Sequence, residues 1–286
     1  MKNLLVVDYA NTVLRSLSVH SQLEWEGQIT GGLYGFVSQL ASQINKYKPS
    51  HILICKDSPP YLRSSLYPEY KADRKTAKKP DWYPAIRSTY AMVDMFLEHI
   101  HCPPWGIAGF EADDLIAAAT EQHHDNYDQI LVLSNDDDLY QLLCYSNILL
   151  LKKAGNMDYQ SFKKEYPMLE PQDWVTITAM AGTHNAVKGI ERCGLKTAIK
   201  WFEYYQTTGV THAKVQEHKD LIERNRGLIQ LPLQIKDYQI EKIQPQAPTI
   251  QTRNMMRYLS RYGISYTSTM DTAFSHYGNA QSSFDL

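Results

Sequence analysis

Cysteine is scarce in this 286-residue chain: the four residues, Cys55, Cys102, Cys144 and Cys193, lie far apart and form no CxxC pair. That spacing argues against a zinc cluster or a disulfide framework and points to a reducing compartment. An excess of either charge is lacking too. Lysine and arginine total 29 against 31 for aspartate and glutamate, a net charge of −2. A polyanionic partner would therefore have to be met by a local basic patch. Long hydrophobic runs are absent. The opening stretch Leu4-Leu5-Val6-Val7 is too short for a signal peptide and runs straight into Asp8, and nothing approaches membrane-spanning length. These features describe a soluble cytoplasmic protein with no membrane partner. Neither common glycine-rich phosphate loop occurs, which argues against nucleotide-driven transfer.

What is present is enough apolar residue, 43%, to bury a core as one large domain or two small ones. Leu4-Leu5-Val6-Val7, His51-Ile52-Leu53-Ile54-Cys55 and Ile130-Leu131-Val132-Leu133 are β-rich and not alternating, as strands buried on both faces should be. Between them Leu33, Phe36, Leu40 and Ile44 share one helical face, and Met92, Phe96 and Ile100 form another stripe, each first of all a core face. Strands alternating with helices predict an α/β domain with a mostly parallel sheet over residues 1–167. From 168 to 235 strand-like runs become scarce. Residues 174–181 and 197–205 read as short helices around a glycine-punctuated segment, 189–194, and 228–235 reads as a strand or an extended arm. Within the extension 236–286, the prolines, glutamines and serines from Pro245 onward read as a loosely attached tail.

Each apolar run ends within a few residues in a carboxylate: Asp8 after the first, Asp57 after the second, and Asp136, Asp137 and Asp138 after the third. Functional sites of open parallel sheets lie beyond the carboxyl ends of the strands, so these side chains can converge. A fourth acidic group, Glu111, Asp113 and Asp114, opens a helix with an apolar body. Taken singly, acids at a helix start complement the dipole and aspartates after a strand form turns; the combination of four sites carries the argument. Crowded carboxylates repel unless a cation compensates, and an all-oxygen set favours Mg²⁺ or Mn²⁺. Carboxylate-bound metal pairs typically serve phosphoester hydrolysis. Between Arg63 and Arg87 the bases Lys71, Arg74, Lys75, Lys78 and Lys79 interleave with Tyr61, Tyr67, Tyr70, Trp82 and Tyr83. This mixture suits unpaired nucleic acid, through phosphate neutralisation and base stacking; a solvated surface loop is the alternative.

Val6-Val7-Asp8-Tyr9-Ala10-Asn11, Asp57, Tyr70-Lys71-Ala72-Asp73-Arg74, Glu111-Ala112-Asp113-Asp114 and Ser134-Asn135-Asp136-Asp137-Asp138 occur in an order and spacing that resembles the 5′-nuclease (flap endonuclease) family, in its bacterial and phage branch. The resemblance covers roughly residues 1–235 and implies a PIN-like sheet with a helix–hairpin–helix-type subdomain. It implies that Asp8, Asp57, Glu111, Asp113 and Asp114 form a first metal site and that Asp136 and Asp138 bridge toward a second. Lys71 and Arg74, at the foot of a basic arch over about 63–100 that includes Lys75, Lys78 and Lys79, would polarise the scissile phosphate, and Tyr70 would stack the terminal base. Gly189, Gly194, Lys196 and Thr197 would belong to a loop whose amides grip duplex phosphates, with a potassium ion. The implied partner is DNA with 5′ flaps, nicks or ends, or an RNA–DNA hybrid, bound by a monomer.

The chain departs from that pattern in one place. Family members carry two further aspartates before the loop; here the aligned positions are Gly182 and Asn185, so the second metal site is altered. Arg192 also replaces a usual glycine. Two alternatives follow: a weakly active or inactive protein that binds branched DNA, and a 5′-nuclease of RNase H type that removes RNA primers.

Overall fold

The computed structural model describes residues 1–72, 78–183, 187–236 and 238–277. Among them a four-stranded parallel sheet forms the centre. Its strands are β1 (Asn3–Asp8), β4 (His51–Cys55), β5 (Gln129–Leu133) and β6 (Ile148–Leu151), in the order β4-β1-β5-β6. Leu4 to Asp8 run in register with His51 to Cys55, and Asn3 to Val7 with Gln129 to Leu133. β1 is therefore flanked on both edges, which is why all six of its residues are buried. The outer strand β6 was not among the expected runs. A second, two-stranded hairpin pairs β2 (Glu24–Trp25) with β3 (Gln28–Ile29). Its turn residues Glu26 and Gly27 both have positive φ, 51° and 78°, as a primed hairpin turn requires.

The alternation of side chains along each strand divides the core between two faces. Leu5, Val7, Ile52, Ile54, Leu131 and Leu133 face one layer. It is built from α1 (Tyr9–His20), α2 (Gly31–Tyr47) and, after the short α3 (Leu62–Leu66), α4 (Ile86–His99). The stripes of α2 and α4 are buried as their periodicity predicts. α1 and α2 approach closely because Gly35 has no side chain: a Cβ there would sit 2.8 Å from Ser16 Cβ. Burial of Met92, Val93, Phe96 and Leu97 makes residues 86–99 a core helix, so the expected arch over 63–100 is too long at its far end.

Leu4, Val6, Leu53, Ile130 and Val132 face the opposite layer, together with α5 (Ala112–His123). The same buried cluster continues through Phe162 of α6 (Tyr159–Glu165) to Trp174 and Ile177 of α7 (Trp174–Ala181), Ala198 of α8 (Leu195–Thr208) and, past α9 (Ala213–Glu217), Leu228 of α10 (Lys219–Ile229). The helical region after 168 is thus continuous with the sheet's core. The expected strand or extended arm over 228–235 is corrected at its start, where the helix runs to Ile229; no regular strand follows over 230–235.

The expectation of a loose tail is overturned for the described part of the extension. α11 (Thr252–Ser260) and α12 (Ser268–Ser275) bury Met255, Tyr258, Leu259, Met270 and Phe274 in the first layer. Tyr258 Oη donates to the Met92 carbonyl at 2.6 Å.

Candidate active site

Parallel pairing delivers the strand-end acids to one edge of the sheet. Asp8, the last residue of β1, caps α1: its Oδ1 accepts from the Asn11 amide at 3.1 Å, and Oδ2 accepts from the Ser134 hydroxyl at 2.8 Å. Asp57, just past β4, accepts from the Ala112 amide at 2.8 Å, which ties it to the start of α5. Past β5, Ser134 Oγ accepts from the Asp136 amide at 3.2 Å, and Asp136 Oδ1 accepts from the Asp138 amide at 2.9 Å. That cap starts a 3₁₀ segment, Asp137–Cys144. Asp113 lies in the first turn of α5. A cavity of about 460 Å³ opens here, with Glu111, Asp113, Asp136 and Asp138 on its wall beside Tyr70 and Lys71.

These acids are held against their ordinary chemistry. Burial pushes Asp8 up to about 7, opposed by the Asn11 and Ser134 hydrogen bonds and reinforced by Asp57 and Asp136. Burial, then repulsion from Asp136 and Asp137, raises Asp138 to about 7 as well. Burial and the charges of Asp136, Asp8 and Asp57 lift Asp113 well above the carboxylate range. Among the described residues no group of three or more acid, histidine or cysteine side chains is arranged so that it could hold a metal ion together; the aspartates stand close enough to repel without converging on one point. Oxygen donors with unbalanced negative charge fit a hard divalent cation. The folded-state values exceed those of the unfolded chain, so the metal-free protein is favoured at low pH and loses stability as pH rises from about 4 through about 7. We expect Mg²⁺ to raise the melting midpoint by several degrees at about pH 8 and hardly at all at about pH 5. Thermal melts at both pH values, with and without the ion, check this.

Two expected ligands are engaged otherwise. Asp114 is fully buried and does not line the cavity. Its oxygens accept from Arg63 at 2.5 and 2.7 Å, from the Leu233 amide at 2.8 Å and from the Glu111 amide at 3.1 Å. It belongs to the frame. Glu111 reaches the cavity, but Oε1 is paired with Lys71, while Oε2 accepts from Tyr70 Oη at 2.6 Å and Arg63 at 3.1 Å. Burial would raise its pKa, yet Lys71 and Arg63 hold it below the usual value. Arg63, counted among the arch bases, is 3% exposed. It also donates to the Leu228 carbonyl at 2.7 Å and is closed to a substrate phosphate.

Lys71 and Tyr70 stand at the cavity as expected, with the Lys71 ammonium 5.2 Å from the Tyr70 ring centre. Lys78 and Lys79 lie elsewhere, in a groove against Glu24 and Ile29 of the hairpin. Arg74 and Lys75 fall outside the described residues, as does Asn185.

The opposite wall is the end of α7 and the loop after it: Thr178, Ala181, Gly182, Thr183 and Val187. Gly182 caps α7 with φ 80°, and a Cβ on it would lie 2.6 Å from the Gly189 amide nitrogen and 2.7 Å from the Val187 carbonyl oxygen. Gly189 is equally confined, 2.3 Å from the Gly182 nitrogen by the same measure. The two glycines let the loop fold back on itself. Gly182→Asp is therefore expected to destabilise the protein by about 1–3 kcal/mol and not to restore a second metal; a denaturation midpoint and a Mn²⁺ titration check it. Beyond the loop, Gly194 caps α8 in open space, with Lys196 and Thr197 in the first turn. Arg192 adopts φ 60°, the left-handed region that favours glycine.

The sequence reading did not assign the polar links behind the acids. Asn11 Oδ1 accepts from Asn135 Nδ2 at 3.1 Å, and Asn135 Oδ1 accepts from the Lys153 amide at 2.8 Å. Ser134, Asn135 and Asn11 lie inside the quoted motifs, and that adjacency was the available signal.

The family described as "5′-3′ exonuclease, N-terminal resolvase-like domain" matches residues 3–167. A 5′-3′ exonuclease of Aquifex aeolicus is 30% identical over 212 residues, covering 72% of this chain and 70% of that protein. DNA polymerase I of Streptococcus pneumoniae is 28% identical over 210 residues, 70% of this chain but 23% of the polymerase. The chain thus spans about a quarter of the length of that relative. Among solved structures, a bacteriophage T5 flap endonuclease in a pseudo-enzyme-product complex with DNA and metal ions superposes with TM-score 0.64 at 18% identity, over 81% of this chain and 90% of that one.

Proposed function

The chain belongs to the 5′-3′ exonuclease family, and on that premise we propose that it is a divalent-metal-dependent 5′-nuclease that cuts DNA at flaps, nicks or ends. One observation carries the reading: buried Asp8 and half-buried Asp113 and Asp138, with Asp57 and Asp136 beside them, form a negative cluster at the carboxyl edge of a parallel sheet, and loss of solvent first, then repulsion within the cluster, raises the pKa values of Asp8, Asp113 and Asp138. A purely structural role gives no electrostatic reason to retain that repulsion. Asp8, Asp57, Asp113, Asp136 and Asp138 would hold the metal, and the all-oxygen set favours Mg²⁺ or Mn²⁺ over zinc. When bound, the ion supplies an acidified water and neutralises charge at the phosphate.

The rest of the chemistry belongs to the chain. Lys71 meets the scissile phosphate on the side away from the aspartates and steadies the charge that grows there. To do so its ammonium exchanges Glu111 for the phosphate. Tyr70, anchored through its hydroxyl to Glu111, presents its ring to the terminal base. The loop 189–194 and the first turn of α8 offer backbone amides and Lys196 to duplex phosphates, with a potassium ion as the expected companion. The protein acts as a monomer. Lys71→Ala is expected to lower kcat about a hundredfold while metal affinity stays near the wild-type value; single-turnover kinetics and a Mn²⁺ titration check the two halves.

A second reading has a specific observation behind it. Gly182, without a side chain, stands on the wall where the family carries a carboxylate, which favours a protein that binds branched DNA and cuts it slowly or not at all. A panel of DNA flaps, RNA–DNA hybrids and single-stranded RNA in Mg²⁺ tests both. Preferential cutting of the DNA flap supports the nuclease, tight binding without product supports the second reading, and faster cutting of the RNA strand replaces both with a primer-removing RNase.

A further inference from the structure

A second groove, of about 1000 Å³, lies directly behind the rim of the acidic cavity. The two share a wall, since Asn135 and Asp137 line both. Lys152, Lys153 and Lys164 line the groove, three bases against the two acids Asp137 and Glu165. Lys152 is committed: it pairs with Asp137 and donates to Tyr140 Oη at 3.0 Å. Lys153 and Lys164 are exposed, and neither side chain has a hydrogen-bond or ion-pair partner among the described residues. They reach the groove from different elements, Lys153 from just after β6 and Lys164 from the last turn of α6. The backbone of the first is fixed to the rim, because the Lys153 amide donates to Asn135 Oδ1 at 2.8 Å.

We infer that this groove is a second phosphate-contacting subsite, which takes the nucleic-acid backbone on the side of the cleavage site remote from Lys71. The inference rests on the nuclease reading for the identity of the ligand, and on the groove alone for its location. A strand lying across the acidic cavity has to leave it over one rim or the other. Over the rim at Lys71 and Tyr70 it meets the base of the arch; over the rim at Asn135 and Asp137 it enters this groove. An open trough with two unpartnered ammonium groups on separate elements suits a row of phosphates more than one phosphate monoester. Exposed lysines act there as point charges, contributing affinity and register without sequence preference.

The test is the salt dependence of binding to a 5′-flap DNA in chelator, where no cutting confuses the equilibrium. Removing two phosphate contacts in Lys153→Ala/Lys164→Ala should weaken binding and reduce the slope of log K against log salt by roughly 1.4–1.8. The matched control Lys2→Ala/Lys242→Ala removes the same charge at the other end of the sheet, before β1 and near the carbonyl of Ile243, which is bonded to His123 at the end of α5. It should leave the slope at the wild-type value. An unchanged slope in the groove variant, or an equal drop in the control, overturns the subsite, as does release of the DNA by millimolar inorganic phosphate. Wild-type binding without metal-dependent cutting would defeat the nuclease reading and leave the slope comparison intact. Failure of the wild type to bind DNA would overturn both.

Discussion

Asp113→Asn should abolish cleavage and at the same time stabilise the metal-free protein. The substitution keeps the shape of the side chain and removes its charge. Asp113 is opposed by its surroundings, by burial first and then by Asp136, Asp8 and Asp57, and no hydrogen bond or ion pair holds it among the described residues. Loss of a ligand to a metal that supplies several kcal/mol of transition-state stabilisation corresponds to roughly a thousandfold or more in rate. Relief of the repulsion works in the opposite direction on folding. The two effects of opposite sign separate a ligand from a structural acid, whose removal would lower stability and activity together. Flap cleavage rates and melting midpoints in chelator, on the same preparation, measure both. A variant that cuts at the wild-type rate contradicts the assignment.

Arg63→Met is expected to cost about 3–5 kcal/mol of stability, because it leaves Asp114 and Glu111 buried without their cation. Arg63 makes one hydrogen bond to the Leu228 carbonyl and three to the two acids. It thereby links α3 to the start of α5 and the end of α10. Much of the cost lies in the stranded charge, so Arg63→Met/Asp114→Leu should recover part of it, the remainder being the Leu233 and Glu111 amides that lose their acceptor. Urea unfolding of the single and double variants checks this even where the single variant is too unstable for activity assays. A double variant no more stable than the single one would show that the pair holds the fold through geometry that an apolar replacement cannot supply.

Three of the four strands of the sheet, and the acids that follow them, were legible because both signals are local; the fourth, β6, is an equally apolar run that ends in no carboxylate. Unbroken apolar runs mark strands buried on two faces, and a carboxylate at the end of each marks a shared edge. The division of labour among those acids was not legible. Asp113 and Asp114 are neighbours in sequence, yet one turns to the cavity and the other to Arg63, which in the sequence is one more base in a basic stretch. What separates them is helical phase against a partner some fifty positions away, and no local pattern encodes that. The C-terminal helices did carry a signal. Met255, Tyr258 and Leu259 repeat at intervals of three and four residues, as do Met270, Ala273 and Phe274, but each stripe is a single turn and a half beside proline- and glutamine-rich linkers. The small residue at 182 was read as a lost ligand. Its backbone geometry shows a positive requirement for glycine as well, since the loop closes to within contact of its own chain there.

The most direct measurement is cleavage of a 5′-labelled flap DNA by the purified protein in Mg²⁺, in Mn²⁺ and in chelator, beside Asp136→Asn. The account predicts product near the junction in both metals, none in chelator, and none from the variant. Tight binding with no product in either metal would contradict it, and would make the missing carboxylates at positions 182 and 185 of the sequence decisive.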